Sequence, residues 1–295
     1  MKNRKYEYKQ EMPKPIEKYS SLKIYLFVLV HPKTWKYVFR FIRTVIKDFF
    51  WLQFQRKMGL IKTPIIYVDS PLDEFVPFRA EKIDIYLDFI NFWIRPLVLL
   101  TTLRKRSAVK HLTNFLILLN KCYKDAANFY RFRMSTTNRP KGFANRKFIW
   151  IKLLDPHYLC VPSLHVSVMV LTITYFKRAF MEENFTEEEQ NFYNTEIYNG
   201  AIKIAETVLY IKQHSVNCIA AALYMMNCIL EGEFSIQNAV DFINNMFIKA
   251  DDISEDEKKL INEHINMLFE QLILESCAEY DWVTPLRRWI IKYEF

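Results

Sequence analysis

The chain has 295 residues, of which 51% are apolar and 16% aromatic, but only 4 are glycine. So few glycines argue against Gly-rich phosphate loops and nucleotide-binding βαβ units, because both need backbone positions that only glycine fills cheaply; helices become the default. The net charge of +8 is unevenly placed: through Lys62 fifteen Lys/Arg face four acids, whereas from Glu231 onward fourteen acids face six bases, which sets a basic arm and an acidic tail around an apolar middle.

Read in chain order, Met1 to Lys23 is polar and basic, and the apolar run "IYLFVLV" is too short for a span. A cytoplasmic N-terminus is expected. Next, Trp35, Val38, Phe39, Ile42, Val45, Ile46 and Phe49 recur at helical spacing between Lys36, Arg40, Arg43 and Lys47. A helix with one aromatic and one cationic face suits the headgroup layer of an anionic membrane, and equally suits packing on a core. No nucleic-acid module accompanies the basic residues, so nucleic acid is not an expected partner. "PIIYVDSPLDEFVPF" reads as a connecting loop, and "AEKIDIYLDFINFWIRPLVLLTTL" and "LTNFLILLNKCY" as helices.

Two further apolar helices are expected over residues 161–176 and 202–230, and only the stretches after Val161 and Thr207 approach the ~20 apolar residues a span needs. "SIQNAVDFINNMFI" and "SEDEKKLINEHINMLFEQLIL" read as amphipathic helices, the second opened by a capping box at Ser254. The expected fold class is all-α, in three units: a basic aromatic arm (1–65), a helical core (66–230) and an acidic helical appendage (231–295). The five cysteines are scattered without a CxxC pair, so neither a disulfide framework nor a zinc site is suggested, and no metal or other cofactor is expected.

Three strings carry chemistry: "STTNRP" from Ser135, "LLDPHYLCVPSLHV" from Leu153 and "ETVLYIKQHSVNC" ending at Cys218. Ionisable groups in apolar helices point by default to a functional site, and His165 and His214 are such groups. A neutral imidazole is a good nucleophile and an imidazolium a good acid near neutral pH, so two histidines can divide the work of displacement at a phosphate. Thr207, His214 and Cys218 are spaced by seven and four, which predicts one helical face.

In order and spacing these strings resemble the type 2 phosphatidic acid phosphatase superfamily, in the branch akin to inositol phosphorylceramide synthases, over about Val68 to Leu230. The resemblance implies a six-helix, membrane-embedded core around a phosphate. Arg139 and Ser163 would hold the phosphoryl oxygens with help from amides at the helix start, His165 would be the general acid, and His214 the nucleophile that forms a phosphohistidine. The chain departs from that pattern in three places. Cys218 stands where the family has the Asp that orients the nucleophilic ring, Val208 stands at an Arg position, and Phe132 at a Lys position. Arg133 and Lys212 are the candidates for the missing positive charge, and Glu206, Asp155 or Asn217 for the missing orienting group. The expected activity is a membrane-associated phosphatase or phosphotransferase acting on a lipid phosphate or phosphoalcohol headgroup at an anionic membrane surface. The alternative is a catalytically weakened or inactive protein of the same fold that binds anionic headgroups or acts as a scaffold.

Overall fold

The computed structural model describes residues 13–140 and 146–294; the first twelve residues of the basic arm lie outside them. The arm forms α1 (Leu22–Val30) and α2 (Pro32–Thr44), the latter continued by a π-helical turn, Val45–Trp51, into α3 (Leu52–Lys57). Pro32 suits the first turn of α2, where an amide proton has no helical acceptor. Then come β1 (Ile65–Tyr67), a 3-10 turn Pro71–Phe75 capped by Ser70, α4 (Ile83–Leu87), α5 (Phe89–Leu103) and the long α6 (Ala108–Phe132). The loop expected at "PIIYVDSPLDEFVPF" thus contains a strand, which pairs in parallel with β2 (Met134–Thr136), Ile65 opposite Met134.

The remainder is α7 (Arg146–Leu154), α8 (Leu164–Glu182), α9 (Glu187–Tyr210), α10 (Val216–Ile229), α11 (Ile236–Asn244), α12 (Glu255–Ser276) and α13 (Val283–Ile291). Capping boxes open α9 at Thr186 and α12 at Ser254, the latter as its sequence predicts. The protein is therefore mostly helical, as expected, with β1 and β2 its only named strands among the described residues.

α8 sits at the centre, packed by α6, α9 and α10, while α2 lies along α6 and α12 covers α10. Gly200 of α9 permits a close approach, since a β-carbon there would stand 2.4 Å from the Phe92 ring of α5. One hydrophobic cluster runs from Ile24 and Leu52 in the arm through Val168 and Leu223 to Ile261, Phe269 and Leu286 in the tail. The arm and the appendage are thus parts of one core, although their charge patterns differ.

One expectation changes. Residues 202–230 do not form one helix: Lys212 adopts a left-handed conformation (φ 56°) and Ser215 caps a new helix, α10. Thr207, His214 and Cys218 accordingly lie on α9, in the break and on α10, not on one helical face. In addition, no helix among the described residues is long and apolar enough to cross a membrane. α8 carries Lys177, Arg178 and Glu182 in its last turns, and the 14 residues of α10 rise only about 21 Å against a hydrocarbon core of about 30 Å.

If the core is single, damage in the tail must be felt everywhere. Phe269→Ala, a fully buried position on α12, is expected to cost about 3–5 kcal/mol and to lower the melting temperature of the whole chain in one transition by calorimetry; a separate low-temperature transition would show the tail to be an independent unit.

Candidate active site

The loop between α7 and α8 carries the Pro-Ser-Leu-His string, and Ser135 of β2 laces it in place. The Ser135 amide donates to the Tyr158 carbonyl (2.9 Å), its carbonyl accepts from the Cys160 amide (3.2 Å), and its hydroxyl oxygen accepts from the Val161 amide (2.8 Å). Asp155 Oδ1 accepts from the His157 amide at 2.9 Å, an Asx turn that holds His157 at φ 67°. From the arm, Gln53 Oε1 accepts from the Tyr158 amide at 2.8 Å. His157, Tyr158, Cys160 and Val161 are thereby held from β2, from α3 and from Asp155 of the loop itself, and the direction of the Cys160 carbonyl is fixed with them.

The break between α9 and α10 faces this loop. Lys212 Nζ donates to the carbonyls of Asp73 and Val76, and Asp73 Oδ1 accepts from the Val216 amide at 2.8 Å. The turn after Ser70 therefore clamps the chain on both sides of His214. Burial raises the Asp73 carboxyl above the ordinary range, and its backbone hydrogen bonds oppose that rise.

His214 Nδ1 lies 3.1 Å from the Cys160 carbonyl oxygen. A carbonyl can only accept, so Nδ1 carries the ring proton. Burial pushes the ring well below its ordinary pKa, with the His165 charge acting in the same direction, so the ring is neutral and Nε2 presents a lone pair. That lone pair points at His165 Nδ1, 3.4 Å away, which must then be the donor. The His165 ring is held between Tyr86 (centroids 4.7 Å apart) and Phe89 (4.6 Å), and burial lowers its pKa to about 4.

The two rings close a small inner pocket of about 20 Å³ lined by Phe49, Tyr86, Asp155, His157 and Gln213, room for about one water. An apolar groove of about 790 Å³ adjoins it and shares Phe49, Tyr86, Asp155, Leu164 and His165 with the inner pocket. His165 therefore stands where the groove meets the pocket.

The other expected residues divide. Arg139 comes close: its Nη2 lies 3.9 Å from Asp155, yet its buried Nε and Nη2 have no hydrogen-bond partner. Burial lowers its pKa, opposed by Asp155. Ser163 is fully buried as the N-cap of α8, its Oγ accepting from the Val166 amide at 3.4 Å, and it does not line the pocket. Arg133 stands over the Phe132 ring and Lys212 is committed to the 70–76 turn; like Arg139, neither lines the pocket or the groove.

None of the three candidates orients the His214 ring. Glu206 accepts from the Phe247 amide, Asp155 from that of His157, and Asn217 bonds Val68, Tyr293 and His264. The Cys160 carbonyl does that work. The Cys218 thiol is fully buried and makes no hydrogen bond to His214, and burial raises its pKa strongly.

Sequence reading missed a third histidine. His157 Nε2 is 2.8 Å from Thr137 Oγ1, its ring centroid is 6.5 Å from that of His214, and burial together with the Arg139 charge keeps it neutral. Its only sequence signal is the Asp-Pro-His turn. Phe49, Gln53 and Tyr86 had none, since the first two act only once the arm folds over the core and Tyr86 only once α4 brings its ring against His165. Among the described residues no group of three or more His, Cys, Asp or Glu is arranged to hold a metal ion. No family model, curated protein or solved structure was found to match the chain.

With the ring already oriented, Cys218→Asp has nothing to restore. The substitution is expected to leave any phosphate-transfer rate no higher and, by burying an unpaired carboxyl, to cost about 3 kcal/mol or more in chemical denaturation; a rise in that rate would mean that the Cys160 carbonyl does not hold the ring.

Proposed function

We propose that the protein is a phosphatase or phosphotransferase of the type 2 phosphatidic acid phosphatase kind, acting on a lipid phosphate or phosphoalcohol headgroup through a phosphohistidine. The observation that carries this reading is the His214 Nε2 lone pair, directed at His165 Nδ1 from 3.4 Å where an apolar groove meets a polar pocket. Arg139, whose Nη2 lies 3.9 Å from the pocket-lining Asp155 and whose buried Nε and Nη2 make no hydrogen bond, stands behind the pocket wall as a group suited to an anion. In this reading the helical core corresponds to that family's six-helix core, and it acts at a membrane with no spanning helix among the described residues.

The chemistry follows from the tautomers. A substrate phosphate entering between the rings takes the place of their contact: His214 Nε2 attacks phosphorus, the bond to the leaving oxygen breaks, and His165 gives that oxygen a proton. His165 is a poor proton donor in the empty site because burial disfavours its cation, and the charge of an arriving phosphate raises its pKa toward the working range. Water or a second alcohol then attacks phosphorus, the bond to His214 Nε2 breaks and frees the ring, and His165 accepts the proton of the attacking hydroxyl. Because the inner pocket holds about 20 Å³, the His165 ring has to swing toward the groove as the phosphate enters.

That tight contact also favours a second reading, a non-catalytic member that binds an anionic headgroup or serves as a scaffold. The two separate in one assay. Against a panel of phosphatidate, phosphatidylglycerophosphate, polyprenyl diphosphate and diacylglycerol-accepting transfer, wild type is expected to release or transfer phosphate. His165→Ala should lose about 10²–10⁴-fold in kcat, and His214→Ala should lose all activity together with the acid-labile phosphoprotein. If wild type is inert on every substrate, the binding reading stands instead.

A further inference from the structure

The groove opens on a face that would be costly to leave in water. Leu29 of α1, Phe39 of α2 and Trp150 of α7 are 65%, 65% and 63% exposed, and the exposed side chains Tyr25, Leu29, Ile42, Ile90, Trp150 and Leu154, from four helices, also line the groove. Contiguous apolar surface of this kind marks an interaction site.

α2 and the π-helical turn that continues it supply the second observation. Trp35, Phe39, Ile42 and Ile46 follow one another at helical spacing and are all exposed, forming an outward ridge. The residue after each is basic: Lys36, Arg40, Arg43 and Lys47, all exposed. This second ridge lies about 100° further round the helix, and no ion pair engages it among the described residues. The core-facing side is a third sector, including buried Thr34 and Thr44. An apolar ridge beside an unpaired cationic one matches the acyl boundary and the headgroups of an anionic leaflet. A second copy of the chain would set like charges against each other.

We propose that this face docks on, and inserts partway into, one leaflet of an anionic bilayer, so that the mouth of the groove opens among the acyl chains and admits one hydrocarbon chain. Docking stands by itself; delivery of that chain's phosphate end to His165 rests on the function proposed above. At about 790 Å³ the groove is within the range of roughly 300–1,000 Å³ that takes a whole small ligand. The protein would thus be a one-leaflet enzyme, reaching its substrate without crossing the membrane.

Flotation of the full-length protein with phosphatidylcholine vesicles, with and without phosphatidylglycerol, tests the docking. Wild type and His214→Ala are expected to float alike, more strongly with the anionic vesicles and less at high salt. Phe39→Glu with Ile46→Glu should abolish flotation, and Lys36→Gln with Arg40→Gln should weaken anionic binding about thirtyfold and leave neutral binding unchanged. All four side chains are exposed, and circular dichroism checks the fold. Parinaric acid, a fluorescent single-chain probe, tests the groove: Ile90→Trp, which narrows the mouth, should weaken its binding while the protein still floats. No flotation of wild type, flotation undiminished in the double Glu variant, or a dimer in solution that covers the ridge would overturn the docking, and probe binding indifferent to Ile90→Trp would overturn the chain site. Flotation without activity on any lipid phosphate would instead count against the proposed function and leave the docking standing.

Discussion

The hydrogen bond from His214 Nδ1 to the Cys160 carbonyl, 3.1 Å long, is the constraint on which the site depends. Without it the neutral ring could carry its proton on either nitrogen, and losing the right tautomer in a His-carboxylate pair costs about 10⁴ in rate. A carboxylate achieves the same orientation with a charge that must itself be solvated in the core. A backbone carbonyl needs no such compensation, but it orients the ring only if the peptide cannot turn. Ser135 and Gln53 prevent that, through bonds to the residues on both sides of Cys160.

The parts that the charge pattern sets apart prove to be supports for this one contact. The arm gives Gln53 to the loop and Phe49 to the pocket wall. The tail reaches α10 through His264, whose Nε2 donates to Asn217 Oδ1 at 2.8 Å, while Asn217 Nδ2 donates to the Val68 carbonyl and the Tyr293 hydroxyl. Buried polar networks of this sort are stabilising only when their members are satisfied, and here the Asn217 amide is bonded at both ends. Helix α10, which follows His214 directly, is thus held from the core and from the tail together.

Much of the fold was legible because its signals are local. The helical spacing of the arm, the capping box at Ser254 and the apolar stretch after Ser163 each report on a few consecutive residues, and each corresponds to a helix. His165 and His214 were legible as a pair because each interrupts an apolar stretch. What escaped was decided at long range. The break at Lys212 comes from its bonds to the 70–76 turn, about 140 positions away; the rank of Ser163 as a buried cap and of Lys212 as a clamp depends on tertiary placement. A carbonyl is no residue type at all, so the Cys160 oxygen leaves no mark in a sequence, and a search for a replacement carboxylate could only find the wrong candidates.

The central claim is that His214 is a neutral ring with its proton on Nδ1 and a lone pair on Nε2. Long-range proton–nitrogen correlation of the six histidines, assigned by the peaks lost in His214→Gln, reads this directly. At neutral pH the His214 nitrogens should appear as a protonated Nδ1 and an unprotonated Nε2. A protonated Nε2, or an imidazolium, would contradict the claim and remove the nucleophile that the proposed function needs.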